Sequence, residues 1–175
     1  MDKSRPSRTI FWGCAAAVFA ADQVSKWLAF GSPSNSREYT ILPGVFFRLE
    51  NPGNVGIAWG LLQNWPQVVL AAGAVAAVVV LYYYYKCSVT SRVEVASLGL
   101  IFGGAAGNLV DRAFVGHVRD FLAFRIGGFH WPTFNIADTF ISGGALLMIG
   151  VFLMAGKTTG PSERKSGGKA EKSDK

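Results

Sequence analysis

The sequence predicts an all-α membrane protein: four transmembrane helices with a small extracytoplasmic β-rich loop region. Three observations lead there. The 175-residue chain is 50% hydrophobic and only 16% charged. Its charges crowd the ends, with four in the first eight positions and nine from Lys157 onward, so the interior is sparse in charge. The apolar residues of that interior gather into four segments, each near the ~20 residues that cross ~30 Å of hydrocarbon as a helix. The length suits one small bundle of spans, not two soluble domains. The composition, with two cysteines, also excludes a disordered chain and a disulfide scaffold.

The first segment, 9–30, is apolar except for a polar second half that contains Asp22 and Lys26. Its basic start (Lys3, Arg5, Arg8) and the small residues Ala20 and Ala21 also fit a cleavable secretory leader. We read the segment as retained. The loop 31–65 alternates β-formers (Tyr39, Ile41, Val45, Phe46, Phe47, Leu49) around Pro43 and Gly44, which predicts a small sheet lying on the membrane. The second segment, 66–85, lies in a stretch without charge and ends in Tyr82 to Tyr85, a run suited to anchoring at the membrane interface. The third, 93–110, is short and places Gly99, Gly103 and Gly107 four apart, the spacing at which small residues let helix backbones approach closely. The fourth, 137–156, follows Asn135, an N-cap candidate that puts Asp138 in the first turn near the positive end of the helix dipole. From 157 to 175 the chain is rich in Gly, Ser, Lys and Glu with no apolar periodicity, which predicts a disordered basic tail. Anionic membrane lipid would be its loose partner; no nucleic acid is needed to explain it.

Lysine and arginine set the orientation. Three lie before the first segment, two in the connection after the tyrosines and six in the tail, against five in the other two loops. Both termini are therefore predicted cytoplasmic, with 31–65 and 111–134 facing outward.

Ionisable groups in or beside a span are costly and default to functional roles. Four aspartates lie between the termini: Asp22, Asp111, Asp120 and Asp138. Asp22 and Lys26 share a helix face and can pair, which a neutralised pair that merely tolerates the membrane explains equally well. Asp138 alone could be a simple helix-start carboxylate. Asp120 precedes it by a loop long enough to return and place the two carboxylates together. Two such carboxylates cannot both ionise cheaply, so one keeps a proton while the other acts as a base toward water.

Other chemistries lack their residues. His117 and His130 are isolated and no His-Glu-x-x-His motif occurs, so no metal is expected. Ser142 lacks the Gly-x-Ser-Gly context of rhomboid-type proteases, and Cys14 and Cys87 have no neighbouring histidine. Two non-peptidase readings stay open on the residues alone: a small proton-coupled transporter using Asp22 and Lys26, and a non-catalytic assembly subunit held by the glycine-rich helix.

Four blocks go further. They are Asp22-Gln-Val-Ser-Lys26-Trp; Asn54-Val-Gly-Ile-Ala-Trp-Gly60; Gly103-Gly-Ala-Ala-Gly-Asn108-Leu-Val-Asp111-Arg112 continuing to Val118-Arg-Asp120-Phe; and Phe134-Asn135-Ile-Ala-Asp138. Through them the chain resembles the lipoprotein signal peptidase (signal peptidase II) family, bacterial four-helix membrane aspartic proteases. The resemblance implies that 1–156 is the peptidase domain and that Asp120 and Asp138 are the catalytic dyad. It gives substrate-binding or dyad-supporting roles to Asp22, Lys26, Asn54, Asn108, Asp111, Arg112 and Asn135, with Asn51 an alternative to Asn54. It implies a diacylglyceryl-modified prolipoprotein substrate cut just before the lipidated cysteine, with no cofactor. It implies a multi-pass protein of the bacterial inner membrane whose active site faces the periplasm. A complete site in one chain makes a monomer the expectation. Trp59 and Ile57 depart from the family's usual Phe and smaller residue, which bears on the fit of the lipid more than on the acids.

Overall fold

The computed structural model describes residues 8–30, 37–42, 45–49, 64–86, 89, 91–126 and 128–157. Four helices dominate: α1 (Arg8–Phe30), α2 (Pro66–Lys86), α3 (Arg92–Phe114) and α4 (Ile136–Lys157). In α2, α3 and the stretch Ile136–Met154 of α4, length and hydropathy suffice to cross a membrane. The 23 residues of α1 span a similar ~34 Å. Its hydropathy is lowered by Asp22, Gln23 and Lys26. Asp22 and Lys26 are wholly buried, so the charges that spoil its average are held inside the bundle, away from lipid.

Local chemistry sets the helix ends. Pro66 opens α2 at a position where its missing N–H costs nothing, and Trp65 O accepts from the Val68 and Val69 amides. Ser91 caps α3, its side chain accepting from Glu94 N at 3.0 Å. At the far end Gly116 takes φ +84°, a left-handed conformation that glycine adopts without steric cost, and turns the chain back. The amides of Val115 and Gly116 both bond Asp111 O, at 2.7 and 3.1 Å. The helix therefore runs to Phe114, beyond the sequence expectation of 93–110. Asp111 and Arg112 belong to its last turn and not to the outward loop. The polar pair does not break the helix because Asp111 is neutralised by cations from elsewhere, as described below.

The centre of the bundle is α3, which packs against each of the other three helices, while α1 also touches α4. Its glycines allow this. A Cβ on Gly103 would lie 2.9 Å from Ala15 Cα, and one on Gly99 would lie 2.6 Å from Phe11 O. A Cβ on Gly107 would collide with the Asp22 carboxylate, and one on Gly104 would lie 2.7 Å from Ala137 O of α4. Two faces of one glycine-rich helix thus receive α1 and α4 at backbone contact. At the opposite end Phe11, Tyr84, Val95 and Leu98 form a buried cluster, with Phe11 and Tyr84 stacked at 4.2 Å. The tyrosine run is therefore divided. Tyr82 and Tyr85 are exposed, as interface anchoring requires, but Tyr84 turns inward.

A four-stranded antiparallel sheet sits where α1 and α3 end and where α2 and α4 begin, in the order β1 (Arg37–Leu42), β2 (Val45–Leu49), β3 (Ala123–Ile126), β4 (Phe129–His130). The sequence placed strands only in the first loop. The second loop supplies the other two, and β2 pairs with β3 from Val45↔Ile126 to Arg48↔Ala123. The sequence pair Gly127-Gly128 between short apolar runs is a hairpin signal, but the length of the runs obscured it.

Adding side-chain bulk at the α1–α3 contact should be costly. Gly103→Ala is expected to lower stability by roughly 1–3 kcal/mol through overpacking. Gly150→Ala, where a Cβ meets nothing within 4 Å, should not destabilise. Thermal unfolding of the two variants in the same detergent separates these outcomes.

Candidate active site

The i,i+4 spacing of Asp22 and Lys26 puts both on the face of α1 that meets α3. Lys26 Nζ lies 2.7 Å from Asp22 Oδ2, 3.0 Å from Asp111 Oδ2 and 3.1 Å from Asn108 Oδ1. All three donors of the ammonium therefore have an acceptor, and the bonds tie α1 to α3 in two places. The other oxygen of Asp22 accepts from Ala137 N at 3.0 Å, so one carboxylate also fixes the first turn of α4. This aspartate serves three helices.

Beyond Gly116 the returning chain comes back to Asp111. Arg119 donates to it from Nε at 3.2 Å and from a terminal nitrogen at 2.6 Å, and its main-chain N–H reaches Oδ2 at 3.0 Å. The same terminal nitrogen donates to Gln23 Oε1 at 2.9 Å. Gln23 in turn donates to Asp22 Oδ2 at 3.0 Å and Gly107 O at 3.3 Å. Asp22, Asp111, Lys26 and Arg119 make a set of two acids and two bases. Each buried charge has a partner, which satisfies the condition for holding ions away from water.

Asp120 follows directly and is 2% exposed. The amides of Phe121 and Leu122 bond Phe134 O at 3.1 and 2.9 Å, and Phe134 N returns a bond to Leu122 O at 2.9 Å. This bridge brings the segment carrying Asp120 against the start of α4.

There Asn135 and Asp138 cap the helix reciprocally. Asp138 N donates to Asn135 Oδ1 at 3.0 Å, and Asn135 N donates to Asp138 Oδ2 at 3.2 Å. The Asn135 amide nitrogen also donates to Asp120 Oδ1 at 2.7 Å and to Asn108 Oδ1 at 3.1 Å. Asn108 completes the ring by donating to Asp138 Oδ1 at 2.8 Å. One wholly buried residue, Asn135, thus bonds both carboxylates, through its side chain to Asp120 and its main chain to Asp138. Arg112, one turn after Asn108, lies within electrostatic reach of Asp138, Asp120 and Asp111.

Of the residues singled out from sequence, Asp22, Lys26, Asn108, Asp111, Arg112, Asp120, Asn135 and Asp138 meet at this end of the bundle. Asn54, with its alternative Asn51, lies outside the described residues. Asp138 does lie at the helix start as a capping carboxylate, and Asn135 bonds both it and Asp120. The pairing of Asp22 with Lys26 extends into a larger network. Sequence reasoning gave no role to Gln23 or Arg119, although both stand inside the quoted blocks. The eight-residue separation of Arg119 from Asp111 carries no periodic signal, because the chain leaves the helix and reverses at Gly116 between them. Arginine beside an aspartate in a chain so short of internal charge was the available signal.

Comparison with known proteins agrees with this architecture. A family model described as signal peptidase (SPase) II matches residues 14–154. A lipoprotein signal peptidase of Oleidesulfovibrio alaskensis is 39% identical over 148 residues, covering 82% of this chain and 94% of its own. One of Solibacter usitatus is 38% identical over 145 residues, covering 79% and 87%. A bacterial membrane enzyme solved by the in meso method at 2.3 Å superposes with a TM-score of 0.80 at 25% identity, over 92% of this chain and 98% of the other. With its model matched across most of its length and relatives at this identity, the chain belongs to the signal peptidase II family.

Proposed function

We propose that this chain is an aspartic endopeptidase that removes signal peptides from diacylglyceryl-modified prolipoproteins, with Asp120 and Asp138 as its catalytic dyad. Family membership supports a membrane peptidase of lipoprotein processing. The observation that carries the finer assignment is the double engagement of Asn135 with Asp120 Oδ1 and Asp138 Oδ2. It holds two carboxylates beside one another, with donors fixed on each. In this arrangement one acid is protonated and the other ionised.

The ionised carboxylate takes a proton from a water as that water's oxygen attacks the carbonyl carbon of the scissile peptide. The protonated one hydrogen-bonds the carbonyl oxygen and gives it its proton. Collapse of the tetrahedral species breaks the C–N bond: the leaving nitrogen takes the proton that came from water, and a hydroxyl of the gem-diol returns its proton to the other carboxylate as the C=O bond re-forms, which restores the singly protonated dyad. Asn108 and Asn135 keep the carboxylates in place through this exchange, and Arg112 offsets the charge that remains. By the charge bias of the loops this end of the bundle faces the periplasm and both termini the cytoplasm. A diacylglyceryl group in the outer leaflet would then present its cysteine, and the bond before it, at the depth of the dyad. One chain supplies every residue named, so the enzyme acts as a monomer.

Asp120→Asn and Asp138→Asn should each reduce cleavage of a diacylglyceryl-modified prolipoprotein by at least ~10²–10⁴-fold while leaving expression and unfolding temperature close to wild type. Near-normal processing by either variant would sink the dyad assignment, and cleavage of an unlipidated control would remove the lipid from the specificity. Asn135→Ala should lose both functions of that residue. Turnover should fall, and the missing cap with its orphaned partners should cost about 1–2 kcal/mol of stability, readable by thermal unfolding in detergent.

A further inference from the structure

We propose that Arg119 is a positioning residue for Asp120, holding the returning segment against α1 and α3 so that the carboxylate meets α4 in register. The inference rests on the assignment of Asp120 to the dyad and adds the means by which its place is set. Asp120 leaves α3 through a turn and lies in no helix, so its position has to be imposed by contacts of its neighbours. On its C-terminal side the Phe121 amide is tied to Phe134 O at 3.1 Å. On its N-terminal side, next to the buried Val118, Arg119 is tied to Asp111 through its main-chain N–H and its guanidinium.

The geometry is specific to arginine. The Nε and one terminal nitrogen converge on Asp111 Oδ1, while that same terminal nitrogen spans to Gln23 Oε1 on α1. A planar fork with fixed donors can hold two helices and its own loop at once; an ammonium supplies charge without that fork. Asp111 is 0% exposed and the Arg119 side chain 21%, so the pair is largely shielded from solvent. On its other side Asp111 is held by Lys26. The clamp therefore bears on a rigid anchor. Loss of it would let Asp120 shift relative to Asn135 without unmaking the bundle. A displacement of about 1 Å in a reacting group costs on the order of 10²-fold in rate.

The test is steady-state cleavage of a diacylglyceryl-modified prolipoprotein by the purified full-length chain in detergent, alongside thermal unfolding. Arg119→Gln is expected to lower kcat by roughly 10–100-fold with KM within about twofold in protein that still folds, with a fall in unfolding temperature because Asp111 loses one of its two cations. Arg119→Lys, which keeps the charge, is expected to recover part of the loss but not all. A general loss of folding would depress the amount of active enzyme and be seen in the unfolding curve. If Arg119→Gln does not fold, Gln23→Leu, which removes the tie of Arg119 to α1 together with the Gln23 bonds to Asp22 and Gly107 O, is judged by the same kcat criterion. Wild-type kcat in the folded variants, with Asp120→Asn inactive, overturns the positioning role alone. An active Asp120→Asn overturns the dyad and this inference with it.

Discussion

A carboxylate buried at the end of a membrane helix has to be neutralised, and the way Asp111 meets that need organises everything around it. Desolvating an unpaired carboxylate costs several kcal/mol even after relaxation. Asp111 is 0% exposed, and it draws one cation from α1 and one from the loop beyond its own helix. The first fixes α1 against α3, and the second pulls the chain back over the helix end. Asp120 is carried along by this return. Close approach is the other requirement. Lys26 reaches Asp111 and Asn108 because Gly103 and Gly107 let the two backbones come together. Small residues and buried charge are therefore two parts of one device: the glycines set the separation and the ion pairs set the register.

The start of α4 adds a second economy. Every polar atom of the Asn135 side chain is engaged: the oxygen accepts from Asp138 N, and the nitrogen donates to Asp120 and Asn108. An aspartate here could cap the helix equally well, but it has no amide donors to offer two acceptors. The requirement for asparagine comes from the acids, not from the helix. Asp138 is likewise a capping residue whose second oxygen faces Asn108. The atoms that cap α4 also hold the acids, so the carboxylates sit on the rigid beginning of a helix and on a loop fastened from both sides.

Much of this could be read in the amino-acid order. Four apolar segments gave the helices, the glycine spacing gave a close helix contact without naming its partner, and Asn135 followed three residues later by Asp138 gave the cap. These are local patterns with a fixed period. What could not be read depends on contacts that have no period. The extension of α3 to Phe114 depends on partners for Asp111 found on α1 and at Arg119. The inward turn of Tyr84 depends on the ring of Phe11 being there to receive it. The two strands of the second loop are short; β3 gains its pairing from β2, a segment remote in sequence, and β4 pairs with β3. The likeness to a known family supplied the dyad and its helpers as a set, which spacing alone left as separate acids. Gln23 and Arg119 lay within those same blocks, but their roles exist only in three dimensions.

The pairing of β2 with β3 also bears on how the molecule is made. Between the two strands the chain lays down α2 and α3, so β2 waits for its partner until both helices have been made. Until then one edge of the β1–β2 hairpin offers unpaired amides and carbonyls, an invitation to wrong partners. Asp138, on the last helix, arrives later still. A nascent chain therefore holds three of its four helices before it holds both of the acids that Asn135 joins. In chain order the polar network is completed last, when the first turn of α4 reaches Asp22.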